Sequence, residues 1–241
     1  MKKILLIIIL PALGFIFLSS CEGCSEMGNG HVIKENRPVT PFTKISIEGI
    51  FPVEISQTGE AESVQVETDK NLQNYIVVEN NGSELVIKTK DKVSIRRSSK
   101  MKVYINIKDL RELRFSSVGN LSSVNTLKLD SLELTSESVG KLDLDIQADF
   151  LRANLNSVGS TDLQGRVREV RINNKSVGTL SAYDLKAGTL MIHNTAVGTA
   201  EIYADSSFYI RSSAIGTLYY KGPGEVKELS SEGIGKVKKA D

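Results

Sequence analysis

The chain has 241 residues, of which 40% are hydrophobic and 24% charged, with a formal net charge of +1. This length and composition suffice for a buried core, and the balanced charge does not indicate the basic patch that nucleic-acid binding requires. Two cysteines exclude a disulfide framework, and the two histidines, His31 and His193, are too far apart in sequence to indicate a metal site or a catalytic triad. We therefore expect no cofactor, no metal and no nucleic-acid partner.

Residues 1–20 have the pattern of a bacterial lipoprotein signal peptide. Lys2 and Lys3 precede an apolar run over residues 4–18, and small residues follow it. Leu18-Ser19-Ser20-Cys21 resembles a lipobox, which implies that Cys21 is acylated and anchors the chain to a membrane. We expect an outer-membrane lipoprotein, on the periplasmic face or the cell surface. The alternative is an uncleaved transmembrane anchor, although a span needs about twenty apolar residues.

Residues 21–41 are polar, with little apolar periodicity, and predict a flexible tether between membrane and folded domain. If Cys21 is acylated, Cys24 has no intramolecular partner. A Cys21–Cys24 disulfide is the competing interpretation, but it would close too short a loop to stabilise the fold.

Residues 42–112 show apolar residues at every second position, which predicts half-buried β-strands. Ile45 and Ile47 are one example, and Asn81-Gly82 is the best hairpin signal in the chain. A helical turn over residues 69–75, capped by Asp69, is the one helical element predicted.

From residue 113 to the end, a small residue, a β-branched residue and a glycine recur seven times. The glycines are 21, 19, 19, 20, 18 and 19 residues apart: Gly119, Gly140, Gly159, Gly178, Gly198, Gly216 and Gly235. A fixed period near twenty is typical of stacked repeats. Propeller blades are about twice as long, and the leucine-rich repeat consensus is absent.

Aligning the repeats on their glycines shows which positions are apolar. Apolar residues recur six and eight positions before the glycine, one before it and two after it, and we expect all of these in the core. The pattern predicts an all-β, right-handed parallel β-helix of about seven rungs of 18–21 residues over residues 113–241, capped by the strands of 42–112. The glycines are expected to form bends at positive φ.

Two polar columns have a structural interpretation. Ser117, Ser138, Ser157 and Ser176 could form a hydroxyl ladder along one corner of the solenoid. The asparagines four or five residues before the glycine are expected to stack and exchange hydrogen bonds: Asn154, Asn173, Asn174 and Asn194.

The block of residues 42–55, followed by the Ser-Val-Gly repeat, resembles the head GIN domain family. Residues 64–72, 85–88 and 103–107 also match. The family comprises adhesin-type proteins of Bacteroidota, often lipoproteins. The resemblance implies that residues 42–241 form one continuous β-helix domain, and it carries over no catalytic residues.

Outward positions three and five residues after each glycine are the candidate binding surface. Asp143 and Asp162 should be neighbours on successive rungs, able to share a cation or act as a carboxylate pair, although the solvated-surface interpretation is the commoner one. The exposed tyrosines that could grip a glycan or protein ligand are Tyr183, Tyr203, Tyr219 and Tyr220. They could equally cover a corner of the solenoid.

We therefore expect a non-enzymatic, membrane-anchored lipoprotein that acts as an adhesin-like or envelope binding module. The alternatives are a carbohydrate-active β-helix enzyme using Asp143 and Asp162, and a structural envelope protein.

Overall fold

The repeats coil into stacked rungs because each strand pairs in parallel with its counterpart one repeat later. The computed structural model describes residues 24–241, so Cys21 and the predicted signal peptide lie outside the described residues. Val158, for example, lies opposite Val139 below it and Val177 above it. The strands of this region are β10 Glu112–Ser117, β11 Leu121–Ser123, β12 Leu127–Lys128, β13 Ser131–Ser136, β14 Val139–Leu155, β15 Val158–Asn174, β16 Val177–Asn194, β17 Val197–Ser212, β18 Ile215–Lys221, β19 Glu225–Ser231 and β20 Lys236–Lys239. The predicted β-helix of about seven turns is confirmed.

The N-terminal strands continue the same stack. They are β1 Cys24–Met27, β2 Val32–Arg37, β3 Lys44–Gly49, β4 Val53–Ser56, β5 Ser63–Asp69, β6 Ile76–Asn81, β7 Glu84–Thr89, β8 Val93–Arg97 and β9 Met101–Asn106. Strands β3 and β4 pair in parallel with β10 and β11, and on their other side with β7 and β9. Two further layers therefore extend the β-helix below its first glycine repeat.

Antiparallel strands close the N-terminal end of the stack. Strand β6 pairs with β7 through the hairpin predicted at Asn81-Gly82, where Gly82 has φ of 61°. Strand β5 pairs with β9, and β2 pairs with β5. The parallel edge of the sheet is thus covered by strands of the chain itself.

The prediction of a flexible tether over residues 21–41 is wrong for most of that segment. Strand β1 pairs in parallel with β8, and all six residues of β2 pair with β5. The sequence signal was weak because β2 is an edge strand with no fully buried side chain, so it lacks the apolar alternation by which strands are recognised.

Asp69 holds the N-terminal segment in place rather than capping a helix. A 3-10 helix does follow at Lys70–Tyr75, but Asp69 makes no side-chain hydrogen bond to it. The buried carboxylate instead accepts hydrogen bonds from the backbone N–H of Gly30 and of Ser99, both at 2.7 Å. Burial by itself raises the pKa of the Asp69 carboxyl, but the hydrogen bonds from Ser99 and Gly30 outweigh it and hold the pKa below its usual value.

Three of the four predicted apolar columns form the core. The residues eight and six positions before the glycine are buried in the middle rungs, as are those two positions after it. Leu151, Ala153 and Leu142 are representative, each at most 1% exposed. Their successors in the next rungs stack on them, so the core is continuous along the axis.

The fourth column does not lie in the core. The β-branched residue before each glycine points outward: Val118, Val139, Val158, Val177, Val197 and Ile215 are 44–57% exposed, and Ile234 is 82% exposed. The preceding small residue points inward instead, as Ser138, Ser157 and Ala196 do. The inside of this corner admits a serine or alanine, and the alternation of side chains then turns the valine to the solvent.

Hydrogen bonds among small polar side chains fill the buried corner. Ser136 Oγ lies 3.0 Å from Ser138 Oγ and 2.9 Å from Ser157 Oγ, and Ser176 Oγ accepts from the N–H of Ser157 at 3.1 Å. Asn174 Nδ2 donates to Asn194 Oδ1 at 3.0 Å. The stacking of these two asparagines is confirmed. Of the four predicted ladder serines, only Ser138 and Ser157 exchange a hydrogen bond between their hydroxyls, whereas Ser176 accepts from a backbone N–H and Ser117 donates to the carbonyl of Gly49.

Two kinds of constraint require the repeat glycines. The five central ones, Gly140 to Gly216, have φ between 132° and 143°. A Cβ at Gly178 would also lie 1.9 Å from the carbonyl oxygen of Gly159. Positive φ was wrongly predicted for Gly119 and Gly235. In the last rung the glycine with positive φ is Gly233, at 91°, and in the first rung no residue of the motif has positive φ. At these two positions the close approach of a neighbouring carbonyl leaves no room for a side chain.

Candidate functional site

Asp143 and Asp162 are neighbours on successive rungs, as predicted. Lys141 lies between them, with its Nζ 2.9 Å from Asp143 Oδ2 and 2.8 Å from Asp162 Oδ2. The hydrogen bonds to Asp162 and Asp143 raise the pKa of the Lys141 ammonium. The place that a bound cation would take beside both carboxylates is thus already held by a side-chain ammonium.

This arrangement also disfavours the carboxylate pair of a glycosidase. Such a pair needs carboxyl groups that are free to exchange a proton with the substrate or a water, whereas both carboxylates here are bonded to the Lys141 ammonium. The signal that the sequence analysis missed is Lys141 itself, two residues before Asp143 and on the same outward face of the strand.

Tyr183 and Tyr203 are half-buried and tied to their surroundings. Tyr203 Oη donates to Asp205 Oδ1 at 2.9 Å, and Lys186 Nζ lies 4.0 Å from the centre of the Tyr203 ring. Burial, with a smaller effect of Glu201, raises the pKa of the Tyr183 hydroxyl. These rings cover the solenoid wall more than they offer free contact area.

Tyr219 and Tyr220 do not share a face, contrary to the prediction. Tyr219 lies opposite Glu201 on the outside, whereas Tyr220 lies opposite the buried Ile202. The Tyr220 ring packs edge-on against Phe208 with ring centres 5.4 Å apart. Tyr220 therefore helps to close the core near its C-terminal end, because adjacent residues of a strand face opposite ways.

A second outer face, which the sequence analysis did not single out, carries a denser set of binding groups. It is formed by the outward residues seven and five positions before the glycine in four consecutive rungs. We call it the arginine–asparagine face: Arg152, Arg171, Met191 and Tyr209 in one column, and Asn154, Asn173, His193 and Arg211 in the other. Successive residues of a column are spaced by about 4.8 Å.

The face contains a shallow depression of about 490 Å³, which lies within the size range of ligand sites. Its apolar part includes Met191 and Tyr209. Beside it, Phe150 lies under two guanidinium groups, with its ring centre 5.9 Å from Cζ of Arg152 and 5.4 Å from Cζ of Arg171.

Several polar side chains of this face have no hydrogen-bonding or ionic partner in the described part of the chain. Within residues 24–241, the side chains of Arg152, Asn154, Asn173 and His193 make no hydrogen bond or ion pair. Arg171 and Arg211, by contrast, pair with Glu169 and Glu228. The unpaired side chains have planar guanidinium, amide and imidazole groups that remain free to donate and accept hydrogen bonds.

The sequence did contain a signal for this face. Arginine recurs seven positions before the glycine at Arg152 and Arg171, and asparagine recurs five before it at Asn154 and Asn173. The four asparagines were grouped into one stacking column, although those five positions before the glycine point outward and Asn174 and Asn194 point inward. A shift of one residue exchanges the two sides of a strand.

The part of the chain that the structure describes contains no group of three or more histidine, cysteine, aspartate or glutamate side chains placed to hold a metal ion. Over the same residues, no helix has the length and apolar character needed to cross a membrane.

Fold and surface together define a parallel β-helix whose outward positions carry variable polar and aromatic side chains. The chain belongs to the family described as "Putative auto-transporter adhesin, head GIN domain", whose model matches residues 41–224. The resemblance inferred from the sequence is therefore confirmed. No curated protein matches the chain.

Solved structures from Bacteroidales are similar over nearly the whole chain. A Bacteroides fragilis protein described as an adhesin is 25% identical to this chain, with a TM-score of 0.84. The match covers 89% of this chain and 100% of the Bacteroides fragilis chain. A Parabacteroides distasonis protein titled as lipid binding has 22% identity and a TM-score of 0.69, with coverages of 90% and 100%. An adhesin-titled protein of Parabacteroides merdae has 21% identity and a TM-score of 0.63, with the same coverages.

Proposed function

We propose that this chain is a non-catalytic, lipid-tethered module of the bacterial envelope that binds a glycan through the arginine–asparagine face. The observation that carries the proposal is the set of planar groups on this face that make no hydrogen bond or ion pair, Arg152, Asn154, Asn173 and His193, beside half-buried aromatic rings. Amide and guanidinium groups donate two hydrogen bonds from one plane, which suits the paired hydroxyls of a sugar. The adhesin descriptions of the family and of the Bacteroides fragilis protein are consistent with a binding role.

The regularity of the face favours a polymeric ligand. Its columns continue at a spacing of about 4.8 Å over four rungs, and two successive rungs present the same pair of side chains, arginine and asparagine, so binding groups follow one another along one line. The other charged depression of this surface offers fewer free groups, because Arg168 pairs with Asp149 and Arg166 with Asp205.

Arg152→Ala combined with Asn173→Ala is expected to weaken glycan binding by about tenfold or more, since each lost hydrogen bond contributes about 1 kcal/mol, and more when a charge takes part. The measurement is affinity electrophoresis and calorimetry of residues 21–241 carrying Cys21→Ser, against a panel of neutral and acidic polysaccharides.

The matched control is Arg168→Ala with Gln147→Ala, which removes one guanidinium and one amide from the neighbouring depression. Equal weakening by both pairs would show nonspecific electrostatic attraction. Unchanged glycan binding by the variant with Arg152→Ala and Asn173→Ala would reject this face as the glycan site. If the variant lost only the binding of a protein, the ligand of the face would be a protein and not a glycan.

The lipid anchor in this proposal depends on Cys21, which follows Leu18-Ser19-Ser20. Cys21→Ala in the full chain is expected to abolish incorporation of labelled palmitate and to change how the chain is processed and fractionates. Cys24→Ala is the matched control and should leave labelling intact. Equal labelling of the Cys21→Ala variant and the parent would contradict the lipid anchor.

A further inference from the structure

The β-branched residues before the glycines form an exposed apolar line that the proposed function does not use. We call it the β-branched ridge: Val118, Val139, Val158, Val177, Val197, Ile215 and Ile234. From Val118 to Ile215 each member lies opposite the next, so the side chains follow one another at about 4.8 Å. A continuous apolar line of this length, unlike scattered surface valines, indicates a contact surface.

Two polar columns flank the ridge, and their charges are arranged asymmetrically. Three positions before each glycine stand Ser116, Glu137, Asn156, Lys175, Thr195, Ser213 and Glu232. One position after it stand Asn120, Lys141, Ser160, Thr179, Thr199, Thr217 and Lys236. The seventh rung therefore carries an acid on one side of the ridge and a base on the other, whereas in the second rung the base, Lys141, is bonded to Asp143 and Asp162. The middle rungs are nearly uncharged.

We propose that the ridge is the contact surface of a parallel homodimer, in which a two-fold axis runs along the rods and each rung faces the same rung of the second copy. This rotation exchanges the two flanking columns. Glu232 then faces Lys236 of the second copy, while the ridge residues meet each other. The surface is thus complementary to itself in charge as well as in apolar character.

Antiparallel placements of the same ridge lack this complementarity. If the axis passes between Val177 and Val197, Glu137 faces Glu232. If it passes through Val177, Lys175 faces Lys175 of the second copy. Like charges brought together at an interface oppose association.

The position of the N-terminus agrees with the parallel arrangement. The described chain begins at β1, where Cys24 lies opposite Val93, and Val93 and Val118 line one depression at the first rung. In a parallel pair the described parts of both copies therefore begin at the same end, from which both could reach one membrane. An antiparallel pair would place them at opposite ends.

Single cysteines in the full chain test the geometry directly. In a Cys24→Ser background, Val139→Cys and Ile215→Cys are each expected to form a disulfide-linked homodimer on oxidation of membranes from a bacterial host. A disulfide needs Cα atoms within about 7 Å. Val124→Cys, an exposed valine outside the ridge, is the control that should stay monomeric. Cross-linking of Val139→Cys only to Ile215→Cys would overturn the parallel arrangement, and cross-linking to a different protein would overturn the homodimer.

Solution measurements test the energetics independently. Val158→Asp with Val177→Asp should raise the dimer dissociation constant by at least about tenfold in sedimentation equilibrium of the detergent-solubilised full chain, with an unchanged circular dichroism spectrum. Val124→Asp should leave it unchanged. Glu232→Lys should weaken the dimer, and adding Lys236→Glu should restore it. A monomeric parent, or a dimer strengthened by Glu232→Lys, would refute the proposal. Glycan binding by the arginine–asparagine face is a separate readout.

Discussion

Gly178→Ala is expected to lower the free energy of unfolding by at least about 4 kcal/mol and to prevent accumulation of the folded chain at 37 °C. Gly178 has φ of 138°, a region that residues with a Cβ avoid. A Cβ there would also lie 1.9 Å from the carbonyl oxygen of Gly159 in the rung below. Relief of that contact requires two rungs to separate, which breaks their parallel hydrogen bonds. Urea unfolding followed by circular dichroism measures the loss.

Gly82→Ala is the matched control. Gly82 also has positive φ, but a Cβ there would have no atom within 4 Å. Its cost should be about 1–2 kcal/mol, from backbone strain alone. The difference between the two variants then reports the rung-to-rung contact together with the greater strain of alanine at φ of 138° than at φ of 61°. Equal losses would show that the contact adds nothing.

Asp69→Ala is expected to lower the free energy of unfolding by about 3 kcal/mol and to release the N-terminal segment. The change removes the buried carboxylate that accepts hydrogen bonds from the N–H groups of Gly30 and Ser99. Hydrogen exchange of residues 24–37 should rise before that of the solenoid, because β1 and β2 lie at the edge. Asp91→Ala, which removes an 84% exposed carboxylate, is the control and should change stability by less than about 0.5 kcal/mol.

The Asp69 contribution should also depend on pH in a defined direction. Because the pKa of Asp69 is lowered in the folded state, its stabilisation is complete above the unfolded-state pKa of about 4 and is lost as pH falls through the folded value. Glu67 acts in the same window, since hydrogen bonds from Tyr104 and Lys100 lower its pKa. In Asp69→Ala the free energy of unfolding should therefore fall less steeply as the pH is lowered below about 4, although Glu67 still contributes. An unchanged dependence on pH in this range would contradict this assignment.

Prediction of the candidate surfaces succeeded where it depended on register alone. The glycine spacing placed Asp143 opposite Asp162 correctly, because parallel rungs stack equivalent positions. It did not anticipate that Lys141 would bridge them, since the direction of a long side chain is set by its neighbours and not by its column. The unpaired state of Asn173 and Arg152 was likewise invisible, because pairing depends on which acidic groups reach them in space.

By itself, the sequence determined the repeat, the parallel stacking and most of the core. A period of about nineteen residues with apolar positions at −8, −6 and +2 has one economical arrangement, in which like residues bury like residues. It also predicted the hairpin at Asn81-Gly82, where local turn chemistry is sufficient.

Only the tertiary structure decided which side of each corner the Ser-Val-Gly motif presents. A small residue and a valine at adjacent positions allow either one to face inward, and hydrophobicity favours the valine. The stacked rungs leave room inside for Ser157 and not for Val158, because the backbone turns sharply there and successive rungs approach closely at the glycines. The structure likewise decided that β3 and β4 lie between β7 and β9 on one side and β10 and β11 on the other. Pairing between segments distant in sequence depends on the shape of the whole stack.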